Sequence, residues 1–83
     1  MNEFFSNLIN RTILRRRLLK ELYEQELKAD IAYDQVTLVL SQVTDGTISY
    51  DEYLPRYAKH MLSYEEAIKK AHKIRKLLGI VPD

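Results

Sequence analysis

The stretch ISYDEY, Ile48 to Tyr53, sets two carboxylates, two phenols and a hydroxyl within six residues. That density could serve a metal loop, an active site or the start of a helix. A near copy, LSYEEA, runs from Leu62 to Ala67, and a looser one, IAYDQV, begins at Ile31. Recurrence favours a structural role. Ser49 and Ser63 each precede a glutamate, Glu52 and Glu66, by three residues. This is capping-box spacing: the serine side chain accepts from the glutamate's amide, and the glutamate reaches back to the cap. Ile48 with Tyr53, and more weakly Leu62 with Ala67, supply the apolar staple across the helix start. One such cap stabilises by about 1 kcal/mol.

DGTISYDEYL also resembles the second half of an EF-hand calcium loop, over about ten residues. Gly46 matches the turn glycine, Ile48 the central apolar residue and Glu52 the closing bidentate ligand. The first and third ligand positions would be Ser41 and Val43, and valine offers no side-chain oxygen. Only Asp45 and Glu52 remain as acids, whereas calcium takes six to eight oxygens. The resemblance therefore implies a helix–loop–helix of similar shape without its metal.

Other chemistry finds little support. There is no cysteine, which excludes disulfides, thiolate metal sites and thiol nucleophiles. His60 and His72 stand in neither an HxxxH nor an HExxH pattern, so a zinc site lacks ligands. No serine has a motif-spaced base and orienting acid, and no glycine-rich phosphate loop occurs. A chain of 83 residues is also short for enclosing a dry pocket. The expectation is no enzyme, no cofactor, no metal and no small-molecule substrate.

Charge is near balance at +1, but it is unevenly placed. Arg11, Arg15, Arg16, Arg17 and Lys20 form one basic block; Lys69, Lys70, Lys73, Arg75 and Lys76 form another. The acids lie mostly between them. Three consecutive arginines span about 200° of a helix and cannot share one groove. Lys69, Lys73 and Lys76 step by four and three and make one basic edge. Such an edge can contact phosphates, or it can be a solvated face whose cations suit the helix C-terminus. Arg15, Arg16, Lys69, Lys73 and Lys76 are the candidate nucleic-acid residues.

The elements that must position these groups read as helices. From Asn2 to Thr44 there is neither Gly nor Pro. Apolar residues recur at helical spacing through Phe4, Phe5, Leu8 and Ile9, then Leu18, Leu19, Leu22 and Tyr23, then Ala32, Val36, Val39 and Val43. Arg15 and Arg16 interrupt the stripe, so a bend or restart is expected near Asn10 to Thr12, with Thr12 as a cap. Asp30 is a second candidate restart. VTLVLSQV, Val36 to Val43, is rich in β-branched residues, but it has no strand to pair with and is read as helix. The basic, acid-poor N-terminus would suit a transit peptide and is read as a first helix. TDGT, Thr44 to Thr47, marks the turn. Two shorter helices are expected after it, about Tyr50 to Met61 and Tyr64 to Leu78, with Gly79 as the stop.

The expected architecture is therefore all-α: one helical domain over residues 1–83. It is a small bundle of a long, possibly broken N-terminal helix and two shorter ones. Its core would be Leu19, Leu22, Val36, Val39, Leu40, Val43, Ile48, Tyr53, Leu54, Ala67, Ile68, Ala71, Ile74 and Leu78. No apolar run approaches the ~20 residues that span a bilayer, and a cytoplasmic setting is expected. Six tyrosines and no tryptophan suit half-buried rims and protein interfaces. Phe4, Phe5, Leu8 and Ile9 have too little chain to cover them and form the candidate partner-binding face. The function that follows is a non-enzymatic protein–protein interaction or regulatory module, self-associating as a homodimer. The alternative is a nucleic-acid-binding regulator.

Overall fold

The computed structural model describes the backbone of residues 2–80 and the side chains of Leu8 and of residues 10–80. Two helices account for nearly all of it: α1 over Asn2–Thr44 and α2 over Tyr50–Leu78, with no strand among the described residues. They pack antiparallel as a single hairpin, 68 Å long and 22 Å by 15 Å across.

α1 runs 43 residues without interruption. The expected restart near Asn10 to Thr12 is absent. Thr12 does not cap; its hydroxyl donates to the carbonyl of Leu8 one turn back, 2.9 Å away. Thr37 and Thr44 bond in the same way to Tyr33 and Leu40. The Val36–Val43 stretch is helical despite its β-branched content, with no strand beside it to pair with.

Chain reversal occupies residues 45–49. Gly46 takes the left-handed conformation, φ +82°, where a Cβ would be strained. The Thr47 amide then donates to the carbonyl of Gln42 at 2.8 Å, closing the end of α1. Asp45 accepts from both the amide and the hydroxyl of Thr47, which fixes the turn. These bonds hold its carboxyl below the usual aspartate range, the side-chain bond contributing most. Because α1 extends to Thr44, Ser41 and Val43 are helical. The resemblance to a calcium loop stops there: two helices flank a short turn, not a ligand loop.

Ser49 caps α2 as its sequence requires. Its side chain accepts from the Glu52 amide at 3.2 Å and donates to the Glu52 carboxylate at 3.3 Å. Ile48, just outside the cap, is buried. Pro55 falls six residues in, where its missing N–H forfeits one helical bond near the end of the helix.

The second box does not cap. Helix continues through it, and the Ser63 hydroxyl donates to the Lys59 carbonyl within the helix. The two expected shorter helices are thus one, and the three-helix bundle is a two-helix hairpin. Between Pro55 and Gly79 no residue breaks a helix, so nothing opposes continuation. α2 ends at Gly79, φ +73°, with the Gly79 and Ile80 amides donating to Lys76 and Arg75.

The core is a seam. On α1 the seam row is Leu18, Leu22, Gln25, Ala29, Ala32, Val36, Val39 and Val43, all buried or half-buried. On α2 the matching row is Tyr53, Tyr57, His60, Tyr64, Ala67, Ala71, Ile74 and Leu78, of which only Tyr57 counts as exposed, narrowly. Both rows alternate steps of four and three, the 3.5-residue period of a coiled coil. Alanines at the centre let the backbones approach closely. Leu22, Ala71 and Ile74 form the densest cluster, flanked by Leu18 and Leu78.

Candidate interaction surface

Leu22, Val39, Ile48, Ala67, Ala71 and Ile74 are buried as expected, and Val36, Val43, Tyr53 and Leu78 are half-buried. Leu19, Leu40, Leu54 and Ile68 are not in the core; each is exposed. The sequence reading missed Ala29 and Gln25, and placed Ala32 in the stripe but not in the core. Small or polar residues give no apolar signal, though the four-three spacing passes through all three.

The four exposed residues share one location. Each stands one residue after a member of the seam, on its flank. On α1 that flank reads Leu19, Glu26, Tyr33, Leu40; on α2 it reads Leu54, Met61, Ile68, Arg75. A salt bridge from Arg75 to Glu26 shows that the two rows lie on the same side of the hairpin. One long face therefore carries three apolar residues from each helix and a single neutralised ion pair.

Aromatic rings line the seam, and Tyr33 joins them to the flank. Tyr33 packs against Tyr64 with centroids 6.0 Å apart. Tyr50, Tyr53 and Tyr57 follow one another along α2 with tilted rings, centroids 6.0 Å and 5.4 Å apart.

The opposite flank has another character. An open groove of about 540 Å³ runs along it, lined by Lys28, Gln35, His60, Ser63, Glu66 and Lys70 among others. Polar and charged side chains share it with exposed Ile31 and with the buried Ala32 and Ala67. Among the described residues no three of His, Asp and Glu gather as a metal site.

The candidate residues from sequence fall in three places. Leu8 is exposed on the part of α1 that α2 does not reach. Phe4, Phe5 and Ile9 lie outside the residues whose side chains are described. Arg15 and Arg16 are exposed on the same uncovered length of α1. Lys69, Lys73 and Lys76 are exposed on the outer side of α2, away from the seam. The arginine block and the lysine edge belong to different helices, toward the same end of the hairpin, where Leu18 and Leu78 pack against one cluster. No helix among the described residues is long and apolar enough to cross a membrane.

Comparison with known protein families, with curated proteins and with solved structures yields no match in any of the three.

Proposed function

We propose that this chain is a non-enzymatic protein–protein interaction or regulatory module that works through an apolar and aromatic helix face. The observation that supports it is the flank on which Leu19, Tyr33, Leu40, Leu54 and Ile68 line up, between 40% and 59% exposed; the opposite flank is mixed, its row of Arg56, Ser63 and Lys70 ending on exposed Leu77. Scattered exposed leucines are ordinary, but a contiguous apolar face marks a contact surface. The uncovered Leu8 end of α1 adds a second apolar candidate.

The test uses an apolar fluorescent dye together with circular dichroism. The dilute, helical chain is expected to bind the dye, and Leu54→Gln with Ile68→Gln is expected to lose most of that signal while keeping helix. A helical chain at low micromolar concentration that neither binds dye nor associates overturns the reading.

A second reading, nucleic-acid binding, draws on one observation. Lys69, Lys73 and Lys76 are exposed together, and none of them takes part in an ion pair among the described residues. Anisotropy of labelled duplex DNA and single-stranded RNA at two salt concentrations decides it. Phosphate contacts release counterions, so affinity must fall steeply with salt. No binding at low salt removes this reading.

A further inference from the structure

The apolar flank is written in the sequence as core, yet the hairpin leaves it in water. Leu19, Leu40, Leu54 and Ile68 satisfy helical periodicity as well as the buried residues do. A four-helix bundle needs that pattern, because each helix then faces two neighbours instead of one. A lone hairpin needs only the seam.

The surface area of the chain points the same way. It exposes 6876 Å² at 9.8 kDa, where a compact monomer of that mass exposes about 5,200 Å². Its radius of gyration is 19.0 Å, against about 12 Å for a compact domain of this length. Part of the excess is the uncovered length of α1. The six apolar side chains of the flank, five of them 40–59% exposed and Met61 less, present on the order of 450 Å², taking ~150–250 Å² for a fully exposed aromatic side chain and somewhat less for an aliphatic one, and the Glu26–Arg75 pair between them adds to it. A standard stable interface buries about 800 Å² on each partner.

Charge identifies the occupant. Turning a second copy by 180° about the hairpin's long axis lays α1 of each over α2 of the other, with both turns at one end. Glu26 and Arg75 stand at one level because they pair. Glu26 of one copy then faces Arg75 of the other, and charges alternate around the junction. Seven residues up α1 and down α2 come Tyr33 and Ile68; seven further come Leu40 and Met61. The Tyr33/Ile68 and Leu40/Met61 levels therefore each meet an apolar level, while Leu54 lies opposite the turn and Leu19 lies past the end of α2. Reversing the second copy end for end sets the ion pair against Leu40 and Met61, or slides the apolar levels past the end of α2.

We propose that the flank is covered by a second copy of this chain, related by a two-fold axis along the hairpin, to give a four-helix bundle with both turns at the same end. This deepens the interaction reading above and rests on it.

The experiment is a mass measurement by light scattering or sedimentation on the full chain, with two charged variants. Wild type is expected at twice the chain mass. Tyr33→Lys with Ile68→Lys, and Tyr33→Glu with Ile68→Glu, each place like charges against one another across the two-fold. Each is expected as a monomer or as a chain of reduced helicity. Mixing the two is expected to restore helix and a mass of two chains. Because there is no native cysteine, a spin label on Asp51→Cys then reads the orientation. Both turns at one end give a separation under about 30 Å; the reversed arrangement gives about 50 Å or more.

A wild-type monomer overturns the proposal. So does a dimer that both variants leave intact, a mixture that restores nothing, or the longer label distance. A monomer that still binds the apolar dye overturns the second copy and leaves the interaction reading standing; a monomer that binds none overturns both.

Discussion

Two similar six-residue motifs in this chain, sharing the serine, the tyrosine and the glutamate, have different fates. In ISYDEY the serine follows a turn, its backbone is extended at φ −76° and ψ 163°, and it satisfies the Glu52 amide. In LSYEEA the serine lies on the third turn or later of a running helix, and its hydroxyl bonds backwards to Lys59. Ser49→Ala is therefore expected to cost about 1 kcal/mol, while Ser63→Ala is expected to be neutral or slightly stabilising, since alanine is the best helix former. Urea titrations of the two variants beside wild type check this; equal losses would contradict the helix through residue 63. The motif was legible in the sequence and its role was not, because a capping box caps only where the preceding backbone has already left the helix. Gly46 supplies that break before Ser49, and nothing supplies it before Ser63.

Asp45 makes a prediction in pH at the same scale. Its folded carboxyl titrates below its ordinary value of about 4, through the Thr47 hydroxyl first and the Thr47 amide second. A depressed carboxylate contributes stability above the unfolded value, and that contribution is lost as pH falls through the lower folded value. Asp45→Asn keeps the turn geometry but removes the titration. Its stability is expected to fall less steeply than that of wild type as pH drops below about 4. Melting curves at stepped acid pH read this directly; parallel acid limbs would refute it.

Among the elements, the seam is held by small residues more than by large ones. Ala71 is only 1% exposed, and Ala29, Ala32 and Ala67 share its depth. Ala71→Leu is expected to wedge the helices apart at a cost of about 1–3 kcal/mol, seen as a melting temperature lower by several degrees. The same leucine at exposed Ala58 is expected to change little. Equal effects at the two sites would mean that the alanine seam does not set the spacing of the helices. The all-helical class was readable from the long stretch without Gly or Pro. The pairing was less so: alanine reads as helix former before it reads as core, and Gln25 reads as surface. Leucines and isoleucines, by contrast, read as core wherever they fall at helical spacing, which is how Leu19, Leu40, Leu54 and Ile68 were assigned inward.

At the scale of the whole molecule, unequal helix lengths decide what is covered. α1 has 43 residues and α2 has 29, so about 20 Å of α1 extends past its partner at 1.5 Å per residue. Residues 10–17 on that length are all exposed, and Leu18 is the first half-buried residue after them. Removing residues 2–14 is expected to shift the melting temperature by no more than a few degrees. The remaining hairpin buries few large side chains, and no large one is fully enclosed. A domain this small draws most of its stability from association when its core is thin. Stability of the truncated and full chains is then expected to depend on concentration. For folding coupled to pairing, each tenfold increase in chain adds about 1.4 kcal/mol, which raises the melting temperature by several degrees. A monomeric hairpin gives superimposable melts at all concentrations. Calorimetry across two decades of concentration separates the cases, and the two lengths of chain say where the coupling resides. A shift that survives truncation belongs to the flank of Tyr33, Leu40, Leu54 and Ile68; a shift that vanishes belongs to the uncovered end of α1.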